Sequence, residues 1–247
     1  LEWQASEGGG NIIESDGTIT VNNPNSAKAF ERAATWINTI SPPDVTTYRE
    51  EDTRNAFQYG NAAFMRNWFY AYALGNSEDS PIRGKFDITM LPAGVSGRSA
   101  ATLGGWQLMV SRYSMNLDAA ARFVHYIGGV EGQKSRAITN GYLPTIANLY
   151  SDSDILEAQP FMKAQSGVFI NAVARPSTIT GEKYNEVSTA YFNEVHTVLT
   201  GEATAEDALQ DLEDALVAIT SLPLGCPNIF PWPPPEWSVD DLIPREL

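Results

Sequence analysis

Residues 60–74 read GNAAFMRNWFYAYAL and pass from an apolar run to a polar and aromatic cluster within a few positions. Ala62, Ala63, Phe64 and Met65, preceded by a Gly-Asn punctuator, predict a short buried strand. Arg66, Asn67 and Trp68, then Phe69, Tyr70 and Tyr72, follow at its end. That is where α/β proteins place ligands, because the strand is rigid and the loop after it is free to vary. The same aromatics also suit the buried face of a following helix, so Trp68, Phe69 and Tyr72 carry two readings, site or core.

On the N-terminal side, LEWQASEGGG (Leu1 to Gly10) reads as the end of a helix stopped by three glycines. Ile13, Ile19 and Val21 alternate around the turn signal Ser15-Asp16-Gly17 and predict a small hairpin. Pro24 suits a first helical turn, and apolar positions from Ala29 to Ile40 recur at helical spacing until Pro42-Pro43. Tyr48 to Tyr59 is a further helix, its acidic first turn complementing the helix dipole.

On the C-terminal side, FDITML (Phe86 to Leu91) alternates as a strand that Pro92 stops, and Ala93 to Leu103 is small and flexible in composition. Gly104-Gly105-Trp106 opens a predicted strand WQLMVS. Two glycines there admit either a ligand or a second backbone, so Trp106 is a site residue or the buried tryptophan of a β-bulge. Helices are expected over Leu117 to Gly128, with Ala120, Ala121, Phe123, Val124 and Ile127 as the buried stripe, and over Glu131 to Thr139. Two short helices, Asp152 to Glu157 and Pro160 to Ser166, come next. Pro176 biases Arg175 to extended geometry, leaving it a surface arginine or a fork-shaped donor to a ligand. Tyr184 to Leu199 and Thr204 to Ile219 are amphipathic helices, the second with Thr204 as cap and Ala208, Leu209, Leu212, Leu216 and Ile219 on its apolar face. Seven of the 15 prolines fall between Leu222 and Leu247, which predicts an extended arm or disordered tail.

The 247 residues carry 30 acids against 16 bases, a net charge of -14, with no basic cluster. That balance excludes nucleic acid and anionic membrane as partners and favours a neutral or cationic one. The single cysteine, Cys226, forbids an intrachain disulfide. His125 and His196 lie in helical patterns, and no metal-ligand spacing, phosphate loop or nucleophile motif is present. No run reaches membrane-spanning length. The chain opens on Leu1, which is consistent with a processed or truncated product whose targeting segment lies upstream.

Taken in order, FQYGNAAFMRNWFYAYAL, FDITMLP, TLGGWQLMVS, LDAAARFVHYI followed by GVEGQKSRAITNGYLPT, and NAVARPSTITGEKYNEVSTAYFNEVHTVLTGEATAEDALQDL resemble the later part of extracellular sugar-binding proteins of ABC importers, closest to the maltose/trehalose type. The likeness covers roughly residues 1–220, and 222–247 depart from it. It implies an α/β, two-lobed periplasmic-binding-protein-like (type II) fold, here mostly the second lobe plus a crossover segment of the first. Residues 1–92 and 150–220 would belong to the second lobe, 93–105 to a hinge connection and 106–149 to the first lobe, with 221–247 a proline-rich tail. The family's longer N-terminal part is not in this sequence.

By the same resemblance Trp68 would stack its indole on a sugar ring, Gly105 and Trp106 would edge an inter-lobe cleft, and Arg175 would donate to sugar hydroxyls. Asn67 and Tyr70 are further substrate-binding candidates, and Trp3 is expected to pack between helices. A pyranose offers an apolar C–H face and a rim of hydroxyls, which calls for flat aromatic surface and a few fixed polar groups. The implied activity is binding of an α-linked disaccharide (trehalose-, maltose- or sucrose-like) by a monomer outside the cytoplasm, its export signal absent from this chain. Delivery would be to ABC permease membrane subunits, with no catalysis, cofactor, metal or nucleic acid. The alternatives are a carbohydrate-active hydrolase using two of Glu2, Glu7, Asp79 and Glu182, and a folded fragment that binds nothing.

Overall fold

A computed structural model describes residues 1–95, 98–164 and 166–226; the proline-rich tail expected over 221–247 lies outside them from residue 227 onward. In chain order the helices are α1 Glu2–Glu7, α2 Pro24–Ala34, α3 Glu50–Gln58, α4 Tyr70–Gly75, α5 Leu117–Gly128, α6 Val130–Asn140, α7 Ser153–Ala158, α8 Ser166–Ile170, α9 Ser177–Thr180, α10 Tyr184–Thr200 and α11 Ala205–Thr220. The chain divides into two compact units. The first holds Leu1–Tyr48, Leu91–Leu103 and the described chain from Val168 onward; the second holds Arg49–Met90 and Gly104–Gly167.

In the first unit, α2, α10 and α11 pack on one another around Phe30, Val187, Leu209, Leu212 and Leu216, all fully buried or nearly so. The apolar spacing read from 204–219 put Ala208, Leu209, Leu212 and Leu216 on one face, and that face is the buried one. Thr204 caps α11: its Oγ1 accepts from the Asp207 N–H at 3.1 Å and donates to the Asp207 carboxylate at 2.7 Å. Asn23 caps α2, with Pro24 in the first turn. That helix ends at Ala34, six residues short of the periodic pattern, and Ile40 is left exposed. The chain turns back on itself there, with Asn38 in the left-handed region and the Ser41 N–H bonded to the Trp36 carbonyl.

The three glycines do stop α1. Gly8 is left-handed at φ 90°, and Gly9 lies against α2, where a Cβ would meet the Ser26 backbone nitrogen at 2.9 Å. Fully buried Gln4 makes this turn possible by satisfying its carbonyls: Nε2 donates to Asn11 O at 2.8 Å and Gly9 O at 3.2 Å, while Oε1 accepts from the Tyr191 hydroxyl at 3.0 Å. Burial pushes the Tyr191 phenol well above its ordinary range, so it stays a donor. The hairpin expected at 11–21 is present as an Ile13–Ile19 antiparallel bridge around Gly17, and its buried Glu14 carboxylate accepts from Asn11 Nδ2 and the Thr20 hydroxyl. Trp3 packs edge-on against Trp36 at 5.4 Å, as a helix-packing residue should.

In the second unit, α6 and α7 and the turn at Pro160–Ala164 enclose Ala137, Leu149, Ile155, Phe161 and Met162, with Phe69 and Tyr72 of the opening stretch against them. Phe69 and Tyr72 therefore take the core reading. Pro160–Ala164 is a 3-10 turn with α8 after it, where one short helix was expected.

Three expectations are corrected. Residues 62–65, 86–91 and 106–111 form no ladder; among the described residues β pairing is confined to four isolated bridges. A strand exists only with a hydrogen-bonded neighbour, and apolarity in sequence cannot supply one. Phe64 and Met109 are accordingly exposed, at 93% and 89%. Helix α5 forms over the span read from sequence and packs with α6, yet none of its residues is buried, and Leu117, Phe123 and Tyr126 stay exposed.

Candidate functional site

Asn67 organises the residues around Trp68. Its Nδ2 donates to the Glu50 carbonyl at 2.9 Å and to Thr53 Oγ1 at 3.1 Å, and its Oδ1 accepts from the Trp68 N–H at 2.7 Å. One amide therefore ties the Trp68 backbone to the first turn of α3. Two residues on, the Tyr70 hydroxyl donates to Glu51 Oε1 at 2.6 Å, and Arg54 Nε donates to the other oxygen of that carboxylate at 2.7 Å. Partial burial, then the Glu51 charge, raises the Tyr70 pKa to about 12, so the phenol remains a donor throughout the physiological range. The Tyr70 and Arg54 bonds hold Glu51 below the usual carboxylate range.

Trp68 is thereby fastened on both sides. Its carbonyl accepts from the Ala71 N–H of α4 at 3.2 Å, and its half-buried indole takes part in no aromatic pair among the described residues. Asn67 and Tyr70, expected as sugar contacts, spend their polar groups on α3. The supporting residues Glu51 and Thr53 escaped the sequence reading: their acidic, hydroxyl-bearing turn was visible, but only their distance in the fold shows what it holds.

Gly105 and Trp106 lie in the same unit, in the segment after Leu103. Trp106 is fully exposed, which removes the buried-bulge reading, and a Cβ at Gly105 would meet nothing within 4 Å. Arg175 belongs to the other unit, is exposed, and enters no hydrogen bond or ion pair among the described residues. Pro176, the next residue, stands at the N-cap position of α9. Of the carboxylates weighed for hydrolysis, Glu7 is buried and has both oxygens taken by Arg32 at 2.6 and 3.0 Å, while Asp79 and Glu182 are exposed on irregular or turn segments. No group of three or more His, Cys, Asp or Glu side chains suited to a metal occurs among the described residues. No described helix is long and apolar enough to cross a membrane.

Residues 2–134 match the family model described as bacterial extracellular solute-binding protein. A curated relative from Deinococcus radiodurans, a probable ABC transporter-binding protein, is 52% identical over 219 residues, covering 89% of this chain and 52% of the relative. Among solved structures, maltose-bound MalE3 of T. maritima superposes with a TM-score of 0.83 at 39% identity, over 89% of this chain and 56% of that one. The GacH receptor of Streptomyces glaucescens, solved unliganded and with acarbose, gives 0.76 at 24% identity over 90% and 56%, a likeness of fold. The chain spans about half the length of the relatives it matches. It belongs to the bacterial extracellular solute-binding proteins.

Proposed function

We propose that this chain is the sugar-recognising part of an ABC importer's solute-binding protein, taking an α-linked disaccharide outside the cytoplasm and handing it to permease subunits without chemical turnover. The observation that carries the reading is Trp68: a backbone fixed by Asn67 to α3, carrying an indole that pairs with no other ring among the described residues. A preorganised aromatic face suits the apolar side of a pyranose at little ordering cost. Arg175, exposed and with no hydrogen bond or ion pair among the described residues, supplies donors for hydroxyls, and exposed Trp106 after Gly105 supplies a second flat surface. The likeness to a maltose-bound protein at 39% identity supports the disaccharide class. Binding needs no cofactor or metal, and Glu7, locked to Arg32, is a poor general acid. The assignment of 1–92 and 150–220 to one lobe and 106–149 to the other, with 93–105 as hinge, and the monomeric state belong to the same proposal.

The test is calorimetric titration of Trp68→Ala and Arg175→Ala beside the unaltered chain. Trp68→Ala removes binding while leaving the circular dichroism unchanged; Arg175→Ala weakens it by about 1.5 to 3 kcal/mol, the worth of charge-assisted hydrogen bonds. Unchanged affinity in both sinks the assignment. A second reading, a fold that binds no sugar by itself, draws on the unladdered segments 62–65, 86–91 and 106–111, and the same titration decides it.

A further inference from the structure

Composition makes 93–103 a slack connection, but its described contacts do not. The Ala100 N–H donates to Ser6 Oγ of α1 at 3.1 Å, and Ala100 is fully buried with Ala5 and Val173. Leu103 N–H donates to the Val173 carbonyl at 2.8 Å, and Val173 N–H donates to the Ala101 carbonyl at 2.7 Å, a two-bond parallel bridge. Arg98 Nη2 reaches the Asn171 carbonyl at 3.4 Å. Gly94 lies so close to α1 that a Cβ there would sit 2.7 Å from the Ser6 carbonyl carbon and 2.8 Å from Glu7 Oε2. All of these residues belong to the first unit, and the bridge ends at Leu103, one residue before Gly104-Gly105, where the chain enters the second.

We infer that Ser6, Gly94 and Val173 are positioning residues. They clamp Ala100–Leu103 between α1 and the segment that carries Arg175, so that Arg175 stands two residues beyond a doubly bonded anchor and backbone freedom begins only at Gly104. The inference rests on the proposed role of Arg175 for its consequence in binding, but its geometry is tested separately. A Cβ at Gly94 presses on the backbone of α1 at Ser6 and on a Glu7 carboxylate that Arg32 already holds by both oxygens, so relief requires the strap to lift. Lifting breaks the Ala100 and Leu103 bonds together and frees Val173.

The experiment is amide hydrogen exchange on the whole chain, with and without Gly94→Ala, and with Ser6→Ala as a variant that introduces no clash. In the unaltered chain the amides of Ala100, Leu103 and Val173 exchange at least about 100-fold slower than that of Gly105, as local opening of a bonded segment requires. Both variants speed those three amides together by about tenfold or more, while Leu209 and Leu212 of α11 keep their rates. Equal rates at Ala100, Leu103 and Gly105 in the unaltered chain, or acceleration in α11 matching that in the strap, overturn the clamp. With maltose as probe, Gly94→Ala lowers affinity, and adding Arg175→Ala lowers it little further; full additivity of the two overturns the positioning of Arg175. A chain that binds no sugar yet shows the coupled exchange refutes the function proposed above and leaves the clamp standing.

Discussion

Arg32→Ala tests the packing of α1 on α2 that anchors the clamp. Glu7 is 2% exposed and receives two guanidinium hydrogen bonds, at 2.6 and 3.0 Å, from an arginine that is itself 47% exposed. Two limits bracket the effect: stripping the partner from a fully buried carboxylate costs about 3 to 5 kcal/mol, whereas an exposed pair is worth about 0 to 1. The half-exposed arginine leaves a path by which water reaches the carboxylate once the guanidinium is gone, so the expected loss is about 2 kcal/mol. Glu7→Gln in the same chain removes the stranded charge, and the double variant recovers about 1 kcal/mol of that loss. Urea unfolding followed by tryptophan fluorescence reads this directly, since Trp3 and Trp36 meet at 5.4 Å across the α1–α2 region. Arg32→Ala within about 0.5 kcal/mol of the parent, or a double variant less stable than Arg32→Ala, refutes the reasoning.

The Tyr70 phenol is held neutral in the folded state, with a pKa of about 12 against an ordinary 10.0, so its contribution to stability is complete below pH 10 and is lost as pH rises toward 12. An ultraviolet difference titration of the parent against Tyr70→Phe should show one tyrosine ionising late; ionisation near 10 would contradict the Glu51 bond. Thr204→Ala should cost about 1 kcal/mol by uncapping α11, read as a fall in the urea midpoint at constant slope. Leu212→Ala, at a fully buried position of the largest core, should cost about 2 to 5 kcal/mol, and a smaller loss would mean that α11 is not fixed against α2 and α10.

Helices were the legible part of this sequence because their signals are local. Thr204 before an acidic turn, Gly201 after Thr200 and Pro24 after Asn23 each state a boundary within a few residues, and the structure places the start of α11, the end of α10 and the start of α2 there. What failed was non-local. Phe64, Leu108 and Met109 look like strand residues, but a ladder needs a neighbour from elsewhere in the chain, and α5 shows an apolar stripe without saying what meets it. The candidate site divides the same way. Trp68 stands out by residue type, whereas the use of Asn67 and Tyr70 as ties to α3 depends on Glu50, Glu51 and Thr53 some 14 to 19 positions upstream. Likewise Ser6 and Ala100, 94 residues apart, carry no sequence signal of their bond.

The central claim is reversible disaccharide recognition without turnover, and it meets its most direct test in calorimetric titration of the 247-residue chain with trehalose, maltose, sucrose and glucose, with tryptophan fluorescence followed in parallel. The account predicts saturable binding of one disaccharide, a fluorescence change from Trp68, and no release of reducing sugar from the bound ligand. A folded sample that gives neither heat nor fluorescence change with any of the four, or that hydrolyses one of them, would contradict it.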